Sequence, residues 1–291
     1  MLLAILIKGM TLGGIYFMIS FGVTFLYGVG GFPNLAIGPI GLAGAYVTAT
    51  LLRSSMHPIW AIWVGLGCSI LVGIAIQKLV VEPLYNSGGG AERGRVYVIY
   101  GTFGLCLLLP AIFLNLFEST MMHMRFPNLG IYKFMGVSIT GYQLLTILLA
   151  ISLLIITHTI FNKTLSGNRV RAVTQNPFLS RVIGIKVSRI YLTTAIISSA
   201  CAYGGAVLWG EIFGLELGSG LFFTLYGFII AVMGGLGSIY GAFLVSLFLG
   251  IVLSASSFLI GGVWDFIMAT TLLILVLILR PMGVIPTRRE V

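Results

Sequence analysis

Charge is missing from long stretches of this 291-residue chain, and that absence limits what the chain can fold into more than any motif does. Residues 9–52, 54–77, 96–117, 134–162, 190–210 and 217–264 contain no Asp, Glu, Lys or Arg. A helix crossing the hydrocarbon core of a bilayer needs about 20 largely apolar residues, so each stretch holds at least one crossing. The first and the last are long enough for two. A final apolar stretch, Phe266 to Leu279, is too short alone and must reach back past Asp265, which sets Trp264 and Asp265 near an interface. The expected fold is an all-α polytopic membrane protein, one domain over residues 1–291, with eight or nine transmembrane or re-entrant segments.

Composition agrees: with 58% hydrophobic and 8% charged residues, most side chains cannot face water, and the lipid bilayer is the expected surrounding. A net charge of +9 invites a nucleic-acid reading, but the cations sit in short segments between apolar runs, so no nucleic acid is expected as a partner. They orient membrane spans instead. Between Asn162 and Ile190 lie Lys163, Arg169, Arg171, Arg181, Lys186 and Arg189 without one acid, which assigns this loop, 163–189, to the cytoplasm. Arg280, Arg288 and Arg289 ask for the same side, so an even number of crossings separates them from the loop. Working outward, 82–95 is cytoplasmic, while 118–138 and the connection holding Glu211 and Glu216 are external. The N-terminus is external if 9–52 crosses twice, although Lys8 argues against this.

Little in the inventory supports catalysis. No GxSxG, HExxH, CxxC or GxxxxGK[ST] pattern occurs, and His57, His123 and His158 lie near span ends without paired carboxylates. Cys68, Cys106 and Cys201 are far apart inside apolar runs and read as small core residues, so neither catalytic nor metal-ligating residues are expected. Without a phosphate-binding loop the chain cannot hydrolyse ATP unaided. Glu82, Glu92, Glu118, Glu211, Glu216, Asp265 and Glu290 all fall in loops or at span ends, which leaves no buried carboxylate to bind a coupling ion. Uphill transport would then draw its energy from another protein. The alternative is a self-contained channel or facilitator, or a secondary carrier with a carbonyl-built sodium site.

The basic loop has internal order. Asn176 can cap a helix starting at Pro177, and Gly184 suits its stop, so the segment reads as two short helices with a bend. Val170 and Val173 on the first, then Phe178, Leu179, Val182 and Ile183 on the second, form apolar stripes. Those stripes either rest against the chain's own helix ends or fill a groove on a partner. Two glycine-rich breaks interrupt long apolar runs: Asn34 with Gly38, Gly41 and Gly44, and Gly234, Gly235 and Gly237 with Ser238. Non-helical backbone at membrane depth must be buried in protein or line a wet cavity, so these residues are candidates for a solute path. Close helix packing by small residues is the other reading of the glycines, and structural bonding the other reading of Asn34.

The segment RAVTQNPFLSRVIGI from Arg171 to Ile185 resembles the cytoplasmic loop of branched-chain amino acid ABC transporter permeases. The likeness extends through KGMTLGGIYFMISFGVTFLYGV from Lys8, NLAIGPIGLAGAYV from Asn34, EPLYNS from Glu82, MGGLGSIYGAFL from Met233 and RPMG from Arg280. In length and N-terminal motif the chain is similar to the shorter of that family's two permease subunits. The resemblance implies a multi-pass protein of the cell inner (cytoplasmic) membrane, paired with a longer permease homologue. It also implies two ATPase subunits that carry ATP and magnesium, an extracytoplasmic solute-binding protein, and a small-molecule solute such as a hydrophobic amino acid. No cofactor is implied for this chain itself. By position, Arg171, Ala172, Asn176, Pro177, Gly184 and Ile185 would form the segment that meets the ATPase. Ser180 stands where many relatives have alanine, and the family's NFAHG pattern reads NLAIG here, with Leu35 and Ile37 making that site more apolar.

Overall fold

The computed structural model describes residues 2–87, 91–116, 122–124, 126, 127, 129–134, 137–216 and 218–285. Glu118, Arg288, Arg289 and Glu290, used above to argue sidedness or the placing of acids, lie outside the described residues. The charge-free stretches become helices: α1 (Leu2–Gly30), α2 (Ile37–Arg53), α3 (Pro58–Ile76), α5 (Ala91–Leu116), α6 (Gly141–Lys163), α9 (Val187–Ile212), α10 (Ser219–Gly234), α11 (Ile239–Leu259) and α12 (Asp265–Leu279), with a short α4 (Glu82–Ser87) following α3. The basic loop supplies α7 (Leu165–Gln175) and α8 (Pro177–Val182). Among the described residues, seven segments are long and apolar enough to cross a membrane; α10, of 16 residues, is a shorter apolar helix, and the 17-residue α2 packs with it among them. The two longest charge-free stretches each hold two helices, and a turn of 3₁₀-helix at Gly262–Trp264 completes the last segment.

Helix α1 is the shaft of the bundle. It is apolar on every side, and its residues from Thr11 to Leu26 are almost all buried beneath α9, α10, α11 and α6, as expected for a helix hydrophobic all round. Association in lipid depends on close packing more than on water exclusion, so small residues mark the crossings. At the seam of α1 with α11, a methyl group added at Gly250 would strike the backbone of Gly9 and Gly13. Polar ties run beside the small residues. Tyr203 Oη on α9 donates to the Ile62 carbonyl of α3 at 2.9 Å, and Ser69 Oγ of α3 lies 3.1 Å from the Ile40 carbonyl and 3.2 Å from that of Ser199.

The two ends of the bundle are distinct. One collects the start of α1, Phe126, Thr140, Gln143, Glu211 and Ser254 around one cavity; the other collects Gly28, Arg171, Gly237 and Ile285 around a second. The N-terminus therefore lies opposite the basic loop, and Ile285 lies beside it, as four crossings from α9 to α12 require. By the positive-inside tendency the second end is the expected inner one.

Two details depart from the sequence expectation. Helix α3 does not stop before a loop at 82–95: it runs through a π-helical turn at Gln77–Val81 into α4, so the helical rod extends from Pro58 to Ser87. Lys78 and Glu82 suggested an end, but no glycine or proline lies between Ile76 and Glu82 to break the backbone, and the wider π-helical turn carries the rod on to Pro83, which has no amide to donate. The outer connection also contains a hairpin of β1 (Ile131–Phe134) and β2 (Val137–Thr140), antiparallel with Ile131 opposite Thr140.

Replacing Gly250 with leucine forces α1 and α11 apart. Overpacking of this kind typically costs about 1–3 kcal/mol, so the variant should lose folded yield and several degrees of thermal midpoint in detergent. Gly104→Ala is the control, because a Cβ there meets nothing within 4 Å.

Candidate functional site

The inner end holds the basic loop, and its shape follows from local hydrogen bonding. Thr164 Oγ1 accepts from the Gly167 amide at 3.1 Å and caps α7. Helix α7 ends at Gln175 because Asn176 turns extended, and Asn176 Oδ1 then accepts from both Phe178 and Leu179 amides at 3.0 Å, starting α8 at Pro177. Gly184 stops α8 in the left-handed region, φ 85°. Its amide donates to the Arg181 carbonyl at 3.1 Å and the Ile185 amide to that of Ser180 at 2.9 Å, the paired bonds of a Schellman close.

The two apolar stripes meet different fates. Val173 of α7 is fully buried and packs with Phe17, Phe21 and Phe25 of α1, with Val170 and Ile185 against the same cluster. Ala172 is half-buried, and Gly167 sits against the backbone of Ile160 and Phe161. Helix α8 turns its stripe outward: Phe178, Leu179, Val182 and Ile183 are between 57% and 71% exposed, while Ser180 on the opposite side is buried. Lys163, Arg169, Arg171, Arg181, Lys186 and Arg189 of the same loop are all exposed. The structure thus presents an exposed apolar helix face within a basic loop, on a platform fixed to the central shaft. One tie leads inward from it: Ser188 Oγ donates to Glu82 Oε1 of α4 at 2.8 Å.

Behind α7 lies an inner cavity of about 470 Å³, bounded by Thr24, Phe25 and Gly28 of α1, Arg171 and Thr174 of α7, and Gly237 and Ser238. The structure therefore brings one predicted coupling residue, Arg171, to the same hollow as two residues of the second glycine break. Arg171 Nη2 also donates to Asn168 Oδ1 at 2.5 Å. The break itself is built by Gly235 and Gly237, φ 102° and 88°, with Ser238 Oγ accepting from Gly241 to cap α11. Gly234 lies in backbone contact with Gly241. The segment after α12 covers this turn: the Val284 and Ile285 amides donate to the carbonyls of Met233 and Gly234 at 2.8 and 3.1 Å. Nothing in the sequence announced that the glycine-rich turn and the RPMG segment meet.

The first break is enclosed by protein. Asn34 is buried, and its Oδ1 accepts from the Ala36 amide at 2.9 Å, closing a local turn. Thr102 Oγ1 of α5 accepts from Leu35, and Thr224 Oγ1 of α10 accepts from Gly38 while donating to the Leu35 carbonyl at 3.0 Å. Thr102 and Thr224 escaped the sequence reading, because hydroxyls within a span bond their own helix as a rule. Gly38 touches the Gly220 carbonyl, Gly41 the backbone of Ala202, and Gly44 the carbonyl of Gly65. These three glycines stand at helix crossings, and neither they nor Asn34 line the two larger cavities.

With this geometry in view, comparison with known proteins gives a coherent result. A protein-family profile described as branched-chain amino acid transport system / permease component matches residues 5–279. The high-affinity branched-chain amino acid transport system permease protein LivH of Salmonella typhimurium is 28% identical, with 96% of this chain and 93% of that protein covered. The permease protein BraD of the corresponding system in Pseudomonas aeruginosa is 29% identical over 96% of this chain and 94% of its own length. The solved structure of PsaBC from Streptococcus pneumoniae in complex with Fab aligns over 94% of this chain and 90% of that one, at TM-score 0.49 and 12% identity, too loose a likeness to carry an argument. A profile match over nearly the whole chain, on a helical bundle built to cross a membrane, makes this protein a member of the branched-chain amino acid transport permease family.

Proposed function

We propose that this chain is the membrane-spanning subunit of an ABC importer of the inner membrane, carrying branched-chain or related apolar amino acids and driven by ATP hydrolysed, with magnesium, on separate ATPase subunits. A longer permease homologue would complete the membrane pair, and an extracytoplasmic binding protein would deliver solute to the outer end. The observation that carries the reading is the outward stripe of α8, Phe178, Leu179, Val182 and Ile183, exposed at the inner end among cations. An apolar helix face held out on a rigid platform suits a groove in a partner. A channel or carrier working alone has no use for it.

The mechanism is mechanical rather than catalytic. Closure of the ATPases would move α8 through Asn176, Pro177 and Gly184, whose capping bonds make it a stiff unit. Motion would pass through Arg171, Ala172 and Val173 of α7 to the Phe17–Phe25 face of α1, and through Ile185 and the Ser188–Glu82 bond to α4. Gly237 and Ser238, sharing the inner cavity with Arg171, are the break residues best placed to open an exit for solute. Gly234 and Gly235 would let that turn flex against the covering segment. Asn34, Gly38, Gly41 and Gly44 would act as the fixed packing against which it moves.

Phe178→Asp should weaken association with the ATPases by more than tenfold, as loss of an interface anchor costs about 2 kcal/mol or more. Co-purification measures this, and membrane insertion should be unchanged. Gly184→Val forces a β-branched residue into a left-handed turn and should abolish uptake in cells while the protein still reaches the membrane; normal uptake by this variant contradicts the coupling role. Reconstituted alone in liposomes, the subunit should show no concentrative uptake.

A further inference from the structure

The outer cavity holds two charges that neither the topology nor the coupling surface employs. It measures about 670 Å³ and lies among the start of α1, the start of α6 and the ends of α9 and α11. Lys8 and Glu211 both line it. Lys8 stands at the end opposite the basic loop, where the positive-inside tendency offers no reason for a cation. Among the described residues, no hydrogen bond or ion pair engages its ammonium group. Glu211 accepts a backbone hydrogen bond from Phe126, but its Oε2 is buried with no hydrogen-bond partner among the described residues. A buried carboxylate oxygen lacking a donor is costly, and a ligand that brings one relieves the cost.

The rest of the wall is mixed, with Ile5, Leu12 and Phe258 giving it apolar surface. An anion site, a cation site and an apolar wall around one hollow match one kind of small molecule. We propose that this cavity is an outer receiving site for a zwitterionic amino acid with an apolar side chain. Its α-carboxylate meets Lys8, its α-ammonium donates to Glu211 Oε2, and its side chain lies on Ile5, Leu12 and Phe258. The inference rests on the amino-acid reading above and sharpens it, since urea and simple amides have no charges to satisfy this pair. It also gives the solute a holding place on the outer side of α1, before the inner end opens.

The test is leucine binding to the complete importer in nanodiscs without its binding protein, by saturation-transfer NMR at millimolar ligand. Leucinamide, which lacks the carboxylate, and N-acetylleucine, which lacks the ammonium, serve as competitors. The parent should prefer leucine to each by about tenfold, the worth of one charge-assisted bond. Lys8→Gln should lose the preference over leucinamide and keep that over N-acetylleucine; Glu211→Gln should do the reverse; Lys8→Arg should behave as the parent. The selective pattern separates binding from folding, because a damaged fold lowers all three ligands together. Equal binding of the three ligands by the parent, or parental preferences in both variants, overturns the site. Leucine uptake by cells expressing the importer is scored separately: no uptake counts against the amino-acid reading itself, whereas uptake without charge-selective binding sinks the site alone.

Discussion

Inside a bilayer a helix that begins below the surface must find hydrogen-bond partners within the protein, and the start of α2 shows how much follows from that requirement. The chain leaves α1 at Gly30 and resumes helix at Ile37, and just before that restart the Leu35 and Ala36 backbone is paired with Asn34 Oδ1 and with Thr102 and Thr224, borrowed from α5 and α10. Thr224 reaches that backbone because Gly38 lets α2 touch Gly220. Small residues, a broken helix and threonines on two other spans are thus parts of one arrangement. Removing any of them would leave a polar group in hydrocarbon.

The inner end obeys a different physics. Water and headgroups can satisfy the backbone there, yet α7 and α8 are capped at both starts and at the Gly184 stop as tightly as buried helices. Rigidity, not mere solvation, is what these caps provide. Val173 pins the first helix to the shaft, while the second presents an exposed apolar face. A force applied at α8 then has stiff neighbours on which to act.

Much of this was legible in the residues, and the part that was not has a common cause. Span positions follow from charge-free length. The caps at Asn176 and Gly184 follow from bonds to amides two or three residues away, so spacing alone reveals them. Partners far along the chain leave no such trace: Gly38 and Thr224 are 186 residues apart, and the RPMG segment meets Gly235 only in the fold. Periodicity likewise found Val170 and Val173 as readily as Phe178 and Val182, but it does not say whether protein or partner covers a stripe. The continuation of α3 into α4 was hidden by reading charge at Lys78 and Glu82 as a boundary, when the backbone had no reason to stop. The sequence placed Lys8 as a clue to sidedness and Glu211 as an unburied acid at a span end, and nothing local hints that Glu211 Oε2 is buried or that the two face one hollow.

The segment over the second break has a bearing on how the protein is made. Val284 and Ile285 supply the amides that close onto Met233 and Gly234, and a ribosome reaches them some fifty residues later. Until α12 has inserted and delivered them, the turn between α10 and α11 lacks its final donors. Synthesis thus leaves this turn unlatched until the stretch that follows α12 has emerged to fasten it.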